Sequence, residues 1–396
     1  MNKLKVPFKQ IGLVSLAIVI LLMFPVGILL IGYQLPLILP SPIGSYQVGR
    51  VEYDWIDENR VDPLSDQSAV HRELPIWIWY PADVNADSTT APYLPPAWEE
   101  AYNELQGLNR FQERNVESIR THSFENAALA GSHDPYPVLI LMPGYGLVPA
   151  DYTVMAENLA SNGYVVIGIN PTYASTLVVS SEGKVFLQSD KGSLNQETFD
   201  ADLDRIGRTW RDDALFVLDR VEEMNKDGSS LFFNKLDMQM IGLLGHSFGG
   251  ATAAAVCKTD PRCKAGVDID GALNGFQAEG TLQSPFMFLV NETCEQGCET
   301  NYNAFVSSQN DGYYFSILGS RHYNFSDLPL RMLLPLRSKY SREDYIGSIS
   351  PQRALQVSDA YLVAFFNRYL MGIESDLLQK RSSLYPELVF KVNQDE

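Results

Sequence analysis

Short apolar runs alternate with stretches of helical periodicity along most of the chain. The apolar runs predict strands over 48–55, 74–80, 137–142, 164–169, 238–244, 265–269, 286–290 and 313–318. The helical pattern predicts helices over 152–161, 199–225, 247–257 and 354–370. Strands that alternate with helices indicate an α/β fold, in which helices cover both faces of a mostly parallel sheet. The first two strands have no helix between them, so we expect an antiparallel edge there, and no second domain is predicted.

Two segments interrupt this alternation. Residues 85–135 are polar and partly helical, and no function is assigned to them. Residues 173–197 form a predicted long loop, in which Glu182, Gly183 and Lys184 suit a hairpin turn.

The N-terminus has a different pattern from the rest of the chain. Residues 1–10 carry three lysines, and residues 11–32 form an uncharged, mainly apolar run. A run of this length predicts a transmembrane signal anchor, or a signal peptide if it is cleaved. The lysines would stay cytoplasmic, which places the catalytic domain outside the membrane, or in the secreted form after cleavage. Residues 33–49 contain several prolines and glycines and are interpreted as a linker, so that the catalytic domain covers 50–396.

Composition excludes several classes of protein. The 396 residues are 45% hydrophobic, and 48 acidic against 30 basic side chains give a net charge of −18. The apolar content predicts a sizeable core. A strongly acidic chain lacks the basic surface that contacts phosphates, so a nucleic-acid partner is not expected. The sequence leaves the oligomeric state undetermined.

The four cysteines suit an oxidising compartment. Cys257 and Cys263 lie six residues apart, and Cys294 and Cys298 lie four apart. Two local disulfides are the simplest pairing, although three pairings are formally open. Zinc is the less favoured alternative, because the spacings are poor for it and no His lies nearby in sequence. No metal or other cofactor is predicted. Asn291 and Asn324 begin glycosylation sequons.

A candidate nucleophile lies in the segment GHSFGG, residues 245–250. This segment matches G-x-S-x-G, and it stands between an apolar strand and a helix of small residues. Strand, sharp turn and helix are the elements that expose a nucleophilic serine at the edge of a sheet. Ser247 is therefore the predicted nucleophile. A structural glycine-rich turn is the alternative.

A serine nucleophile requires a base, and chain order selects one. In hydrolases with this motif the acid and then the histidine follow the serine along the chain. His322 is the only one of the five histidines that comes after Ser247. It follows a predicted strand, at the sheet edge where active-site groups of α/β proteins gather. His322 is therefore the predicted base.

The acid is less narrowly defined by the sequence. Asp270 ends the strand after the Ser247 helix, and we favour it as the partner of His322. Asp268 lies two residues earlier on the same strand face. Glu292 follows the next strand, where many related folds keep the acid. Both stay open as alternatives.

Two backbone N–H groups are predicted to hold the oxyanion of the intermediate. One belongs to Phe248, directly after the nucleophile. The other belongs to the glycine-containing loop after an earlier strand, MPGYG, and we choose Tyr145. An ordinary glycine turn is the alternative for this loop.

Several segments together resemble the plasma-type (isoform II) platelet-activating-factor acetylhydrolases and their bacterial relatives. They are ELPIWIWYPA (73–82), PVLILMPGYG (137–146), ENLASNGYVVIGI (157–169), GLLGHSFGGATAA (242–254), KAGVDIDGAL (264–273), GSRHYNFSDLP (319–329) and RALQVSDAYLVAFFNRYL (353–370). The resemblance covers about 300 residues, and GSRHYNFSDLP is its most specific part.

The resemblance implies an α/β-hydrolase fold and calcium-independent cleavage of short or oxidised sn-2 acyl groups of glycerophospholipids. It places the triad on Ser247, Asp270 and His322 and the oxyanion donors on Tyr145 and Phe248. The acidic surface, the apolar N-terminus and the CEQGC segment (294–298) depart from the family.

Other functions remain open from the sequence. A general carboxylesterase, a cutinase-like polyester hydrolase or a peptidase would use the same nucleophile. A dienelactone hydrolase is less favoured, because a cysteine would replace Ser247. A non-catalytic, membrane-tethered binding scaffold is disfavoured, because Ser247, Asp270, His322 and both glycine-rich elements are intact.

Overall fold

The computed structural model describes residues 30–131, 135–293, 298–308, 311–333 and 345–390, with 21, 23, 24 and 26–28 before them, and gives the main chain alone at 276, 278 and 298. Its strands are β1 (Leu37–Ile38), β2 (Gln47–Val61), β3 (His71–Asp83), β4 (Thr90–Pro92), β5 (Ile119–Glu125), β6 (Ala128–Leu129), β7 (Tyr136–Met142), β8 (Val165–Ile169), β9 (Leu177–Val179), β10 (Val185–Leu187), β11 (Leu236–His246), β12 (Cys263–Ile269), β13 (Phe286–Asn291), β14 (Gly312–Ile317) and β15 (Leu388–Phe390). Its α-helices are α1 (Pro96–Gln106), α2 (Thr153–Ser161), α3 (Phe199–Lys226), α4 (Phe248–Cys257), α5 (Cys298–Val306), α6 (Leu328–Arg331) and α7 (Pro351–Phe366).

One large mixed sheet organises the described part of the chain. Its strand order is β1-β5-β2-β3-β8-β7-β11-β12-β13-β14-β15. The six strands from β8 to β14 in this order run parallel. β3 pairs antiparallel with both β2 and β8, and β15 pairs antiparallel with β14, whereas β2 and β5 are parallel. The mostly parallel sheet and its antiparallel edge therefore agree with the prediction. β9 and β10 form a separate hairpin within the predicted long loop.

Alternation along the buried strands sends side chains to two faces of the sheet. In β7, Leu139 and Leu141 join one apolar cluster with α2 and α7, and Val138 and Ile140 join a second cluster with α3 and α4. A strand covered on both faces is apolar throughout, and all seven residues of β7 are buried. Helices thus cover both faces, as predicted.

The N-terminal segment requires a correction. Among the described residues, none of the helices combines the length and the apolar character needed to cross a membrane. This finding overturns the predicted membrane anchor over 11–32 and the localisation derived from it. Residues 1–20, 22, 25 and 29, which include the three lysines, lie outside the described residues.

Contacts with the catalytic domain begin inside the predicted anchor. The Arg114 guanidinium donates to the carbonyl oxygens of Gly32 (3.4 Å) and Leu35 (3.1 Å). The Tyr33 ring packs 4.9 Å from the Phe111 ring. The segment predicted as a linker, 33–49, contains β1 and the start of β2. It therefore packs on the sheet, and the domain boundary at residue 50 remains a prediction.

Candidate active site

The nucleophile candidate lies at the sharp turn between β11 and α4. Ser247 has φ 56° and ψ −123°, a region that residues with a side chain rarely adopt. A Cβ atom on Gly249 would lie 2.3 Å from the Met142 carbonyl oxygen, so only glycine lets the turn lie this close to the end of β7. The turn therefore has the strained geometry of a nucleophile elbow.

His322 reaches the serine from the loop after β14. Its Nε2 lies 3.0 Å from Ser247 Oγ, and its Nδ1 lies 2.6 Å from Asp270 Oδ2. The His322 side chain is 35% exposed, whereas that of Asp270 is 5% exposed. The three predicted side chains therefore form one continuous line of hydrogen bonds, whose serine end faces the solvent side of the site.

Asp270 is held by more than the histidine. The backbone N–H of Asn291 donates to its Oδ1 at 2.8 Å, and the Asn291 side-chain amide donates to both carboxylate oxygens at 2.9 Å. Burial alone would raise the pKa of Asp270, but the hydrogen bonds and charge of His322, together with Asn291, lower it overall. The carboxylate therefore stays ionised beside His322. Sequence reasoning missed Asn291 as a partner and noted it only as the start of a sequon.

Neither alternative acid lies against His322. Asp268 is buried, and its Oδ1 accepts from the Gly271 N–H at 2.8 Å. Burial raises the pKa of Asp268 to about 8. Glu292 is exposed and lies 3.4 Å from the Arg321 guanidinium. The structure brings Asp270 to His322 and keeps the other two carboxyl groups apart from it.

The two residues whose N–H groups are the predicted oxyanion donors have their side-chain rings in contact. Phe248 is the first residue of α4, where a backbone N–H has no intrahelical partner. Tyr145 lies in the loop after β7, and its ring packs edge-on against the Phe248 ring at 6.3 Å. The Tyr145 hydroxyl accepts from Leu194 N–H at 3.0 Å and donates to the Gly192 carbonyl at 3.0 Å. The loop 173–197 is thereby fixed to this part of the site.

Two buried residues behind the site were not anticipated. His246 Nδ1 lies 2.8 Å from the Tyr152 hydroxyl, and His246 Nε2 lies 3.0 Å from the His322 carbonyl oxygen. The Gly144 N–H donates to the Tyr152 hydroxyl at 2.9 Å. Burial, with the neighbouring His322, lowers the pKa of His246 to about 3, so its ring is neutral. The motif places His246 beside the nucleophile, but no sequence signal points to Tyr152.

Within the described part of the chain, one group of side chains has the ligand types and spacing that could hold a metal ion, and it overlaps the candidate active site. Ligand atoms of His246, Asp270 and His322 lie within 4.8 Å of one another. Both nitrogens of each imidazole already contact protein atoms. A metal ion would have to replace these hydrogen bonds.

The structure joins Cys257 and Cys263 in the disulfide favoured for this pair. The second predicted pair falls on Cys294 and the Cys298 side chain, which lie outside the described residues.

Asn291 and Asn324, which begin the two sequons, are 8% and 0% exposed. Neither asparagine therefore presents its amide for glycosylation in the folded chain.

A small cavity adjoins the Tyr145 loop. It measures about 140 Å³ and is lined mainly by apolar side chains, among them Trp98, Leu147 and Leu177, with the backbone of Gly146 at its wall. Arg331 borders it as well, but its guanidinium contacts Asp151 at 2.7 Å and Glu113 at 2.6 Å. The cavity is therefore mainly apolar, with a cluster of Arg331, Asp151 and Glu113 at one wall.

The chain is similar to proteins of known structure and to named enzymes. A ferulic acid esterase from Streptomyces cinnamoneus superposes with a TM-score of 0.76 and 28% identity, covering 90% of this chain and 99% of that one. A probable 1-alkyl-2-acetylglycerophosphocholine esterase from Arthroderma benhamiae is 25% identical, covering 89% of this chain and 93% of the relative. A platelet-activating factor acetylhydrolase from Cavia porcellus is 22% identical, covering 87% and 80%.

One family profile matches most of the chain. It is described as platelet-activating factor acetylhydrolase, isoform II, and it matches residues 34–189 and 221–384. These ranges include β11, α4 and the loop of His322. The relatives named above are esterases, in agreement with the expected chemistry. The chain is therefore a serine ester hydrolase and belongs to the platelet-activating factor acetylhydrolase, isoform II, family.

Proposed function

We propose that this enzyme hydrolyses short or oxidised sn-2 acyl groups of glycerophospholipids, on an α/β-hydrolase fold. The observation that carries the chemistry is the line of hydrogen bonds from Ser247 through His322 to Asp270. The names of the fungal and mammalian relatives support the phospholipid substrate.

In the first half of the reaction, Ser247 Oγ attacks the ester carbonyl carbon while His322 Nε2 takes the hydroxyl proton. Asp270 stabilises the imidazolium that forms, and the N–H groups of Tyr145 and Phe248 bind the oxyanion. The ester C–O bond then breaks. His322 returns its proton to the departing alcohol, which for a phospholipid is the lysophospholipid.

In the second half, water attacks the acyl-serine. His322 takes one proton from the water, and the oxyanion again lies between Tyr145 and Phe248. Collapse of this intermediate breaks the bond to Ser247 Oγ. The free acid leaves, and the proton on His322 restores the serine hydroxyl.

The cavity beside Gly146 is our choice for the acyl group. Gly146 directly follows Tyr145, so a carbonyl held by the Tyr145 N–H can extend its chain toward Leu147 and Leu177. A volume of about 140 Å³ suits a short chain better than a long fatty acid. Apolar lining lets such a chain leave water at little cost.

A second candidate is a general carboxylesterase. The superposition with the ferulic acid esterase, at 28% identity over 90% of the chain, favours it. That candidate keeps every catalytic assignment and changes only the substrate. Site geometry supports the acyl-serine mechanism for both candidates.

Hydrolysis by the full chain, with the Ser247→Ala variant as control, tests the proposal. The substrates are p-nitrophenyl acetate to decanoate, methyl ferulate, a 1-alkyl-2-acetyl-glycerophosphocholine and a long-chain phosphatidylcholine, all with EDTA. We expect Ser247-dependent release of acetate from the 2-acetyl lipid and little turnover of the long-chain lipid. Turnover of methyl ferulate or p-nitrophenyl esters alone would favour the carboxylesterase. Equal rates for both proteins on every ester would contradict the mechanism.

A further inference from the structure

The two halves of the candidate site come from strands that do not touch. The oxyanion loop follows β7, and the His322 loop follows β14. Three strands lie between them in the sheet order. Sheet hydrogen bonds alone therefore do not set the distance from the Tyr145 N–H to the His322 ring.

A chain of buried hydrogen bonds crosses this gap behind Ser247. It runs from the Gly144 N–H to the Tyr152 hydroxyl (2.9 Å), then to His246 Nδ1 (2.8 Å), and from His246 Nε2 to the His322 carbonyl oxygen (3.0 Å). Tyr152 and His246 are each 1% exposed. Water therefore has no access to replace these bonds.

The end groups of the chain and a neutral His246 together fix the direction of every bond. A carbonyl oxygen only accepts, so His246 Nε2 must carry the hydrogen toward His322. A neutral imidazole then has a bare Nδ1, which accepts the Tyr152 hydroxyl hydrogen. The Tyr152 oxygen is left to accept from the Gly144 N–H. Burial keeps the His246 ring neutral, and a neutral ring with hydrogen on Nε2 satisfies all three bonds together, whereas hydrogen on Nδ1 alone would break the bond to His322.

We propose that His246 and Tyr152 are positioning residues, which hold the oxyanion loop and the His322 main chain in register around Ser247. This inference rests on the proposed roles of Ser247 and His322. His246 sits directly before the nucleophile, so the same chain of bonds fixes the elbow to both halves of the site. A misplacement of about 1 Å can lower a rate about 100-fold, which makes such registration matter to turnover.

Kinetics of Tyr152→Phe and Tyr164→Phe test the proposal. Tyr152→Phe removes the hydroxyl and keeps the ring. Tyr164 is a matched control, because it is equally buried and its hydroxyl bonds Asn367 at 2.8 Å, away from this chain of bonds. We expect kcat to fall about 10- to 100-fold in Tyr152→Phe, with KM within threefold, and to stay within twofold in Tyr164→Phe. Unchanged kcat in a folded Tyr152→Phe, or an equal loss in the control, would overturn the proposal.

Variants at His246 separate hydrogen bonding from packing. His246→Phe keeps a ring without donor or acceptor, whereas His246→Gln offers both. We expect His246→Gln to recover most of the kcat lost in His246→Phe. In the double variant His246→Phe with Tyr152→Phe, kcat should fall no further than in the more impaired single variant, because both substitutions break the same chain of bonds. Losses that multiply, or no recovery with Gln, would contradict the inference.

The wild-type protein offers a test that needs no variant to fold. Nitrogen-15 spectra of the labelled histidines at pH 7 report which ring nitrogen carries hydrogen. The inference requires His246 to be neutral with hydrogen on Nε2, and assignment by comparison with His246→Gln identifies its signals. A neutral ring with hydrogen on Nδ1 alone would overturn it, because His246 could then not donate to the His322 carbonyl oxygen. If wild type and Ser247→Ala hydrolyse equally, the proposed function itself fails, whatever the tautomer.

Discussion

Two clusters of hydrogen-bonded side chains in this protein each contain a buried aspartate, but they differ in how far they are exposed to solvent. The first is the candidate active site around Asp270. The second surrounds Arg72, which is fully buried and bonds Asp62 at 3.0 Å and Asp213 at 2.7 Å. The Thr172 carbonyl and hydroxyl oxygens complete the partners of Arg72 at 2.9 Å and 2.8 Å.

The difference lies in backbone strain and access. Ser247 and Asp270 both have positive φ, and the His322 side chain is 35% exposed. Arg72 and Asp213 lie within a regular strand and a regular helix, and both are at most 1% exposed. Removing either partner of a buried ion pair strongly destabilises the folded protein, because the other charge stays buried without its partner. The active site instead retains strain and an open side, which substrate chemistry requires. We propose that the first cluster serves the reaction and that the second serves folding.

The largest expected effect comes from removing the charge of the active-site acid. Asp270→Asn leaves a similar shape but no anion to stabilise the His322 imidazolium or fix its tautomer. We expect kcat to fall on the order of 10⁴-fold. Steady-state kinetics with a p-nitrophenyl ester measure it. Glu292→Gln is the control, expected within twofold of wild type. Loss in Glu292→Gln and retention in Asp270→Asn would reverse the assignment of the acid.

At the second cluster, around Arg72, we expect a substitution to lower stability and leave the activity of the folded protein nearly unchanged. Arg72→Leu leaves Asp62 buried without its guanidinium partner and leaves Asp213 paired with Arg60 alone. We expect the free energy of unfolding to fall by about 3–5 kcal/mol, with kcat of the folded protein within threefold. Urea titration at 25 °C measures the change.

Lys184→Met is the matched control for Arg72→Leu. It breaks a pair with Glu73 in which the lysine is 53% exposed, so a change of at most about 1 kcal/mol is expected. Equal destabilisation by both variants would show that burial is not what distinguishes the Arg72 cluster.

A third prediction concerns Asp268, which lies beneath the active site. Burial raises its pKa to about 8, above its value in the unfolded chain. Between about pH 4 and pH 8 the folded protein therefore holds a proton that the unfolded chain has lost. Its contribution to stability is full below that window and is lost as pH rises through it.

Asp268→Asn removes this titration. We expect the stability of the variant relative to wild type to rise between pH 5.5 and pH 8.5, by on the order of 1–3 kcal/mol. Urea titrations at both pH values measure it. A pH dependence identical to that of wild type would show that Asp268 is ionised in the folded state.

The smallest effect is expected at the cavity beside Gly146. Leu147→Phe narrows it without touching Ser247 or His322. We expect kcat/KM for p-nitrophenyl octanoate to fall about tenfold more than that for the acetate. Leu384→Phe, at a position 72% exposed, should leave the ratio unchanged. A chain-length profile that Leu147→Phe does not alter would place the acyl group elsewhere.

The sequence predicts features that depend on residues close together along the chain better than features that join distant segments. The parallel strands and their helices follow from local apolar patterns, so their positions were predicted within a few residues. The G-x-S-x-G motif predicts Ser247 as the nucleophile, and the order of residues along the chain predicts His322 as the base. The clusters of Tyr152 with His246, of Asn291 with Asp270 and of Arg72 with its aspartates join distant segments, and no local pattern marks them.

The N-terminal prediction was wrong for a related reason. The length of the uncharged run and the lysines before it indicated a bilayer span, but none of the helices among the described residues is long and apolar enough to be one. Tyr33 lies against Phe111, and Arg114 binds the main chain nearby. These contacts join the last residue of the predicted span, and the residues just after it, to a distant part of the chain, and the sequence does not display them.

The most direct test of the account is covalent labelling of the full chain with a p-nitrophenyl phosphonate, followed by mass spectrometry of its peptides. Attack by an activated serine on phosphorus expels p-nitrophenol and leaves a stable adduct. The account predicts one adduct per chain, on Ser247, with loss of esterase activity in the same proportion. It also predicts no labelling in Ser247→Ala and slow labelling in His322→Ala. Full inactivation with the adduct on another residue, or esterase activity that survives complete labelling of Ser247, would contradict it.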